Sequence, residues 1–239
     1  MFDIVIPVGP NDTNIIEKQM IYTKKNIIGY RNIYIITPIE IFIPGCITVQ
    51  DTMFPFSIET VSNFHGKNHR NGWYLQQLLK LYAGFVIPNI LDTYLVVDSD
   101  TFFLKPTEFM KDGKCLYNYG FENHIPYFDH MRRLIPTLSR QIEDKSGICH
   151  HMIFEKKYIK EIIDVIETTH NDVFYNIFLK NVDVSRVCSS GASEYEIYFN
   201  YMILNHPSEI IIRKLEWSNA SQLITNNYDY ISIHHYMRL

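Results

Sequence analysis

Two aspartates one residue apart, Asp98 and Asp100 in "YLVVDSDTFFLKP" (Tyr94 to Pro106), end a run that otherwise reads as a buried strand. An ionised carboxylate is costly to bury unpaired. Strand alternation sends Asp98 and Asp100 to one side and Ser99 to the other. At about 4 Å two such charges repel by about 1 kcal/mol in water and ~4 kcal/mol at an effective dielectric of 20. A hard dication removes the conflict: Mn²⁺ or Mg²⁺ accepts carboxylate oxygens and leaves positions free for phosphate oxygens. The spacing therefore predicts a metal site at Asp98 and Asp100, facing a diphosphate. The plainer alternative is a strand-end turn in which aspartate caps the next segment.

Those carboxylates must be held by a particular set of elements. Phe2 to Val8 is a short apolar run closed by "PVGPND", which is turn chemistry. Asn11 to Thr13 can cap a helix over Ile15 to Ile28, and "NIYIIT" and "GCITVQD" read as strands. From Asn71 to Phe85 the periodicity is helical, with Leu75, Leu78, Leu79 and Tyr82 on one face, and Pro88 stops it. "TYLVVDSD" is then a fourth strand. This order of strands and helices predicts an α/β fold, and the uninterrupted apolar strands predict a parallel sheet covered on both faces. Such sheets bind ligands at the carboxyl ends of their strands, where the two aspartates fall.

Beyond residue 106 the pattern loosens. "KCLYNYG", "GICHHMIF", "EIIIRKLEW" and "YDYISIHHY" read as strands. Lys156 to Thr168 and Ser193 to Leu204 read as helices, with a further one starting near Pro126. Ser193 and Glu196 form an S-x-x-E capping box, which leaves Glu194 outside the cap. No linker or repeat marks a boundary, so residues 1–239 are expected to form one domain.

Composition excludes several classes. Apolar residues at 46% and charged residues at 20% are ordinary for a globular chain of 239 residues. A net charge of −4 gives no basic field for nucleic acid. The four widely spaced cysteines contain no C-x-x-C pair, so neither a zinc ribbon nor a disulfide framework is expected. No signal peptide and no run of membrane-spanning length is visible, so the expectation is a soluble, cytoplasmic protein. Asn219-Ala220-Ser221, formally a sequon, then carries no meaning.

The D-x-D after "YLVV", together with "IPVGPND" at the start and "NGWYLQQLLKLYA" before it, resembles the GT-A-fold glycosyltransferases. It is similar in particular to a group of predicted glycosyltransferases that includes bacterial and giant-virus proteins, which for a viral chain would mean the host cytoplasm. The resemblance covers residues 1–110 well and the rest more loosely. It implies a single GT-A domain with a Rossmann-like, mostly parallel sheet, residues 1–106 forming a nucleotide-binding half and 107–239 an acceptor-binding half. The implied reaction moves a sugar from a nucleotide-sugar, UDP-linked by preference, to a hydroxyl on a glycan or protein. Stereochemistry is open, and a homodimer is neither required nor excluded.

The resemblance also implies roles. Pro7, Val8, Gly9 and Pro10 would hold the nucleoside, with Ser99 and Asp98 beside it, and Lys80 would reach toward the nucleotide or the first aspartate. His234 or His235 would join Asp98 and Asp100 on the metal, an imidazole favouring Mn²⁺ over Mg²⁺. Glu194 would contact the acceptor or act as its general base, and Asp100 would be the metal-bearing catalytic carboxylate. His150 and His151 would wall the sugar or acceptor pocket; His69, Arg70 and Asn71 would offer donors; Asn118, Tyr119 and Asp129 would lie near the donor sugar. The rivals are a nucleotidyltransferase, though "PVGPND" has no neighbouring basic residue, and a catalytically inactive glycan-binding relative. A P-loop kinase is excluded, since no G-x-x-x-x-G-K-[ST] occurs.

Overall fold

The structure, a computed structural model, describes residues 1–224 and 227–238. In chain order the elements are β1 (Phe2–Pro7), α1 (Ile16–Asn26), β2 (Ile27–Ile28), β3 (Tyr30–Thr37), β4 (Ile47–Gln50), α2 (Ile58–His65), α3 (Asn71–Val86), β5 (Thr93–Val97), β6 (Thr101–Phe103), β7 (Thr107–Glu108), β8 (Met110–Lys111) and β9 (Lys114–Asn118). Then come α4 (Ile125–Leu134), β10 (His151–Glu155), α5 (Lys156–His170), α6 (Phe174–Lys180), α7 (Glu194–Asn205), β11 (Ile210–Arg213), β12 (Trp217–Asn219) and β13 (Tyr230–Ser232).

The expected α/β architecture forms. The central sheet has the order β10-β5-β1-β3-β4; β5, β1, β3 and β4 run parallel, and β10 is antiparallel to β5. Tyr94, Leu95, Val96 and Val97 are fully buried, as the unbroken apolar run requires. Two small three-stranded sheets, β11-β9-β8 and β12-β13-β6, finish the second half. The segment read as one strand, "EIIIRKLEW", therefore divides between them as β11 and the start of β12.

Local differences have local causes. The first helix was expected over Ile15 to Ile28, but Ile27 and Ile28 leave it to pair with Thr107 and Glu108. Its cap was expected at Asn11 to Thr13; instead Pro10–Asp12 form a 3₁₀ turn, and Ile15 is the N-cap with no side-chain bond. The Asp12 carboxylate is committed elsewhere, as described below. The capping box of α7 is half made: Ser193 accepts from the Glu196 N–H at 3.2 Å. The Glu196 side chain turns instead to Ser146, the Gly147 N–H at 3.2 Å and Asn200 at 2.9 Å. Helices α2 and α6 were not foreseen; α2 carries its own capping box at Ser57 and Thr60.

Asp3, the second residue of β1, is fully buried. Arg31 grips it at 3.0 and 2.6 Å, and the Asn32 and Leu91 N–H groups donate to it at 3.0 and 2.8 Å. It fastens β1 to β3 and to the approach of β5. All four cysteines are free. Among the described residues no helix is long and apolar enough to cross a membrane.

Histidine packing gives a pH-dependent stability. His130 on α4 is buried with its Nε2 at 2.8 Å from the Phe178 carbonyl. Burial, opposed in part by that bond, pushes its imidazole down from 6.5 to about 4. Between those values the unfolded chain binds a proton that the folded chain refuses, so stability falls as pH drops through that window. In His130→Gln the loss of stability between pH 7 and pH 5 should shrink by about 2 kcal/mol, read from urea midpoints at the two pH values.

Candidate active site at the carboxyl end of β5

Strand β5 stops at Val97, and residues 98–100 form a tight turn closed by the Thr101 N–H donating to the Asp98 carbonyl at 3.0 Å. The period-two rule lapses there. Asp98 and Asp100 do not share one partner, as alternation had predicted; each has its own set.

Asp98 faces α3 and α7. Its Oδ1 accepts from Lys80 Nζ at 2.6 Å, from the Tyr195 hydroxyl at 2.9 Å and from Gln76 Nε2 at 3.4 Å. Its Oδ2 lies 3.5 Å from His150 Nδ1. Lys80 is no surface lysine: its side chain is 3% exposed, and the ammonium also donates to Glu194 Oε1 at 2.7 Å. Its alkyl stem emerges from the apolar face of α3, and Tyr195 covers the charge at 4.4 Å from the ring centroid. One ammonium thus bridges the half-buried Asp98 and the buried Glu194.

The electrostatics are uneven. Burial would lower the Lys80 ammonium, but Asp98 and Glu194 more than reverse this and hold it above its ordinary value. Burial would raise the Asp98 carboxyl, but Lys80 and His150 hold it below the carboxylate range. For Glu194 burial prevails over Lys80, and the carboxyl sits above its ordinary value. The shared cation leaves Glu194 the more basic of the pair.

Asp100 faces the C-terminal segment. Strand β13 runs antiparallel to β6, and the Ile233 N–H donates to the Asp100 carbonyl at 2.9 Å. That register puts His234 Nδ1 2.9 Å from Asp100 Oδ2. Burial would lower the His234 imidazole, but Asp100 more than compensates and raises it. His235 is not at the site: it is exposed and meets the Tyr236 ring edge-on. Of the two expected ligands, only His234 reaches an aspartate, because the chain turns into a 3₁₀ turn at His235.

Whether these groups suit a dication is decided by atoms left over. Asp100 Oδ1 is buried without a hydrogen-bond partner. Together with His234 it offers an oxygen and nitrogen pair suited to Mn²⁺. Asp98 Oδ1 is already engaged, and among the described residues no group of three or more His, Cys, Asp or Glu side chains is placed to hold a metal. The residues therefore fit half a coordination shell, which for hard dications is commonly completed by phosphate oxygens.

The remaining expected residues divide. Pro7 ends β1, Val8 is buried with its N–H on the Ile36 carbonyl at 2.8 Å, and Gly9 and Pro10 are exposed. This loop does meet the motif: the Ser99 hydroxyl donates to Asp12 Oδ2 at 2.5 Å. His151 is buried among Phe103, Phe109 and Tyr230, with neither ring nitrogen bonded. Asn118 holds the Tyr230 hydroxyl and the Leu215 N–H, and Asn71 bonds Ser62 and the Gly66 carbonyl, so both are structural. Arg70 grips Ser189 and Ser190, Asp129 pairs with Arg132, and Tyr119 lies under Lys145. His69 is exposed one residue before Arg70, and none of these bonds involves it.

Two residues of the site, Tyr195 and Arg238, carry no signal in the sequence. Gln76 is marked by its place four residues before Lys80 on the same helix face, and its amide reaches Asp98. Asp12 falls in the turn and cap expected after β1, but its contact with the motif has no local signal. Arg238 closes the ring of contacts: its guanidinium donates to the Asn11 carbonyl at 2.7 Å, to Asp12 at 2.5 Å and to the Ile233 carbonyl at 3.0 Å.

Removing the shared ammonium should expose its function. Lys80→Met leaves the buried Glu194 and the half-buried Asp98 without their cation, and should cost about 3–5 kcal/mol in a urea melt. Adding Glu194→Gln should recover part of that loss, giving a non-additive double-mutant cycle.

A crystal structure of mouse xyloside xylosyltransferase 1 in its apo form is similar at a TM-score of 0.49 and 10% identity, over 94% of this chain and 88% of that one. No curated protein matches the chain. A family model does match, over residues 34–227, and by that match the chain belongs to the family described as "Family of unknown function (DUF6492)".

Proposed function

We propose that this protein is a metal-dependent glycosyltransferase that moves a sugar from a nucleotide-sugar, UDP-linked by preference, to an acceptor hydroxyl on a glycan or protein. The observation that carries it is the constellation at the end of β5: Asp100 paired with His234 and keeping one unpartnered oxygen, beside Asp98 and Glu194 joined through Lys80. Asp100 and His234 would hold the dication, Mn²⁺ before Mg²⁺, which when bound supplies Lewis-acid stabilisation to a departing diphosphate.

The chain's own groups do the rest. The Pro7–Pro10 loop adjoins the motif through Asp12 and Ser99, and its backbone would bond the nucleoside edge. Lys80 adds fixed positive charge next to the leaving group, in a water-poor setting where it counts for more. Glu194 would take the acceptor proton; its Oε1 is held by Lys80, which fixes the carboxylate in one orientation. Its position at the first turn of α7 places it at a helix N-terminus, where a carboxylate is favoured.

Calorimetry with UDP, CDP and ATP, each with and without Mn²⁺, tests the reading. UDP should bind only with Mn²⁺, Asp100→Ala should weaken it by about tenfold or more, and UDP should be released from a UDP-sugar on incubation. Tight ATP binding with no UDP binding would instead establish the nucleotidyltransferase.

A further inference from the structure

His150 is the one imidazole at this site that the proposed chemistry does not use. It directly precedes β10 and is clamped on two sides, by the Trp217 and His234 rings, each with its centroid 4.9 Å away. Its backbone is also fixed, since its carbonyl accepts from the Asp98 N–H at 2.9 Å. The loop that delivers it is pinned from below: Glu196 bonds Ser146 and the Gly147 N–H, and a side chain at Gly147 would meet Phe199 and the Tyr195 carbonyl within 2.7 Å.

Two features mark His150 as more than packing. Its φ is +60°, in the left-handed region. Asn89, Asp112 and Asn171 share that conformation, but they are turn or helix-end residues of types that adopt it readily; His150 leads straight into a buried strand. Such an outlier at a site is a pointer to function. Secondly, its Nε2 is buried with no hydrogen-bond partner. A buried polar atom without a partner calls for an explanation.

The chemistry of that atom narrows what it binds. Nδ1 faces the Asp98 Oδ2 carboxylate oxygen, an acceptor, at 3.5 Å, and in the neutral ring this contact suits a proton on Nδ1. Nε2 is then a lone pair and must receive a donor. Phosphate oxygens are acceptors and do not satisfy it. A hydroxyl group does satisfy it, and Trp217, half-buried beside it and stacked on Tyr230 at 8°, offers a flat apolar neighbour for the C–H face of a sugar. We infer that His150 accepts a hydrogen bond from a hydroxyl of the transferred sugar and so selects the donor. This rests on the glycosyltransferase reading above and assigns His150 a part in it.

The test compares wild type with His150→Phe, which keeps a ring between Trp217 and His234 but no lone pair, and with His150→Ala as a second variant. Calorimetry in Mn²⁺ uses UDP, UDP-glucose, UDP-galactose and UDP-N-acetylglucosamine. UDP affinity should stay within about twofold, while the advantage of the preferred UDP-sugar over UDP falls by about tenfold. Parallel weakening of UDP and UDP-sugars would move His150 to the cation or phosphate, and unchanged donor preference in both variants would leave it structural; either overturns the inference alone. A wild-type protein that binds neither UDP nor any UDP-sugar would remove the glycosyltransferase reading and this inference with it.

Discussion

One buried ammonium group shared between two carboxylates organises this molecule. Lys80 lies at the centre of α3 among Leu78, Leu79 and Leu81, and it is almost fully buried. Its stability there depends on Asp98 from the end of β5 and Glu194 from the start of α7. Two consecutive elements, α3 and β5, are thereby locked to α7, more than a hundred positions on. The geometry must be good, because buried charge left unpaired is destabilising by several kcal/mol. Tyr195 completes the arrangement by donating to Asp98 and covering the ammonium with its ring.

A second constraint acts from the chain ends. The motif turn is held on one side by the loop after β1, through Asp12 and Ser99, and on the other by the segment after β13, through His234 and Asp100. Arg238 joins these two sides by pairing with Asp12, a contact across 226 positions of sequence. The site is therefore complete only when the last residues have docked beside the first. Contacts of such long range carry a loop-closure cost that only the packed fold repays.

The uneven electrostatics follow from the same arrangement. A single cation cannot neutralise both carboxylates, and Asp98, with more donors around it, keeps the lower affinity for a proton. Two acidic groups driven apart by their surroundings are suited to different tasks, one holding charge and the other moving a proton. The proposed division between a donor-side Asp98 and a proton-accepting Glu194 uses that asymmetry.

Sequence by itself determined the central sheet and where the candidate site would fall on it, because an apolar run ended by charge has few physical solutions. "YLVVDSD" had to be a buried strand whose carboxylates emerge at its end, and the helical period of "NGWYLQQLLKLYA" had to cover it. Sequence also singled out Lys80, Glu194 and the late histidine pair, but not what they touch. Only the tertiary structure decided that Lys80 bridges Asp98 and Glu194, that His234 and not His235 meets Asp100, and that Asp12 leaves its cap to hold Ser99 and Arg238. These are pairings between side chains roughly 18 to 226 positions apart, with no periodic pattern to announce them. Local spacing fixes the face a residue presents; its partner is fixed by strand register and helix packing, which exist only in the folded chain.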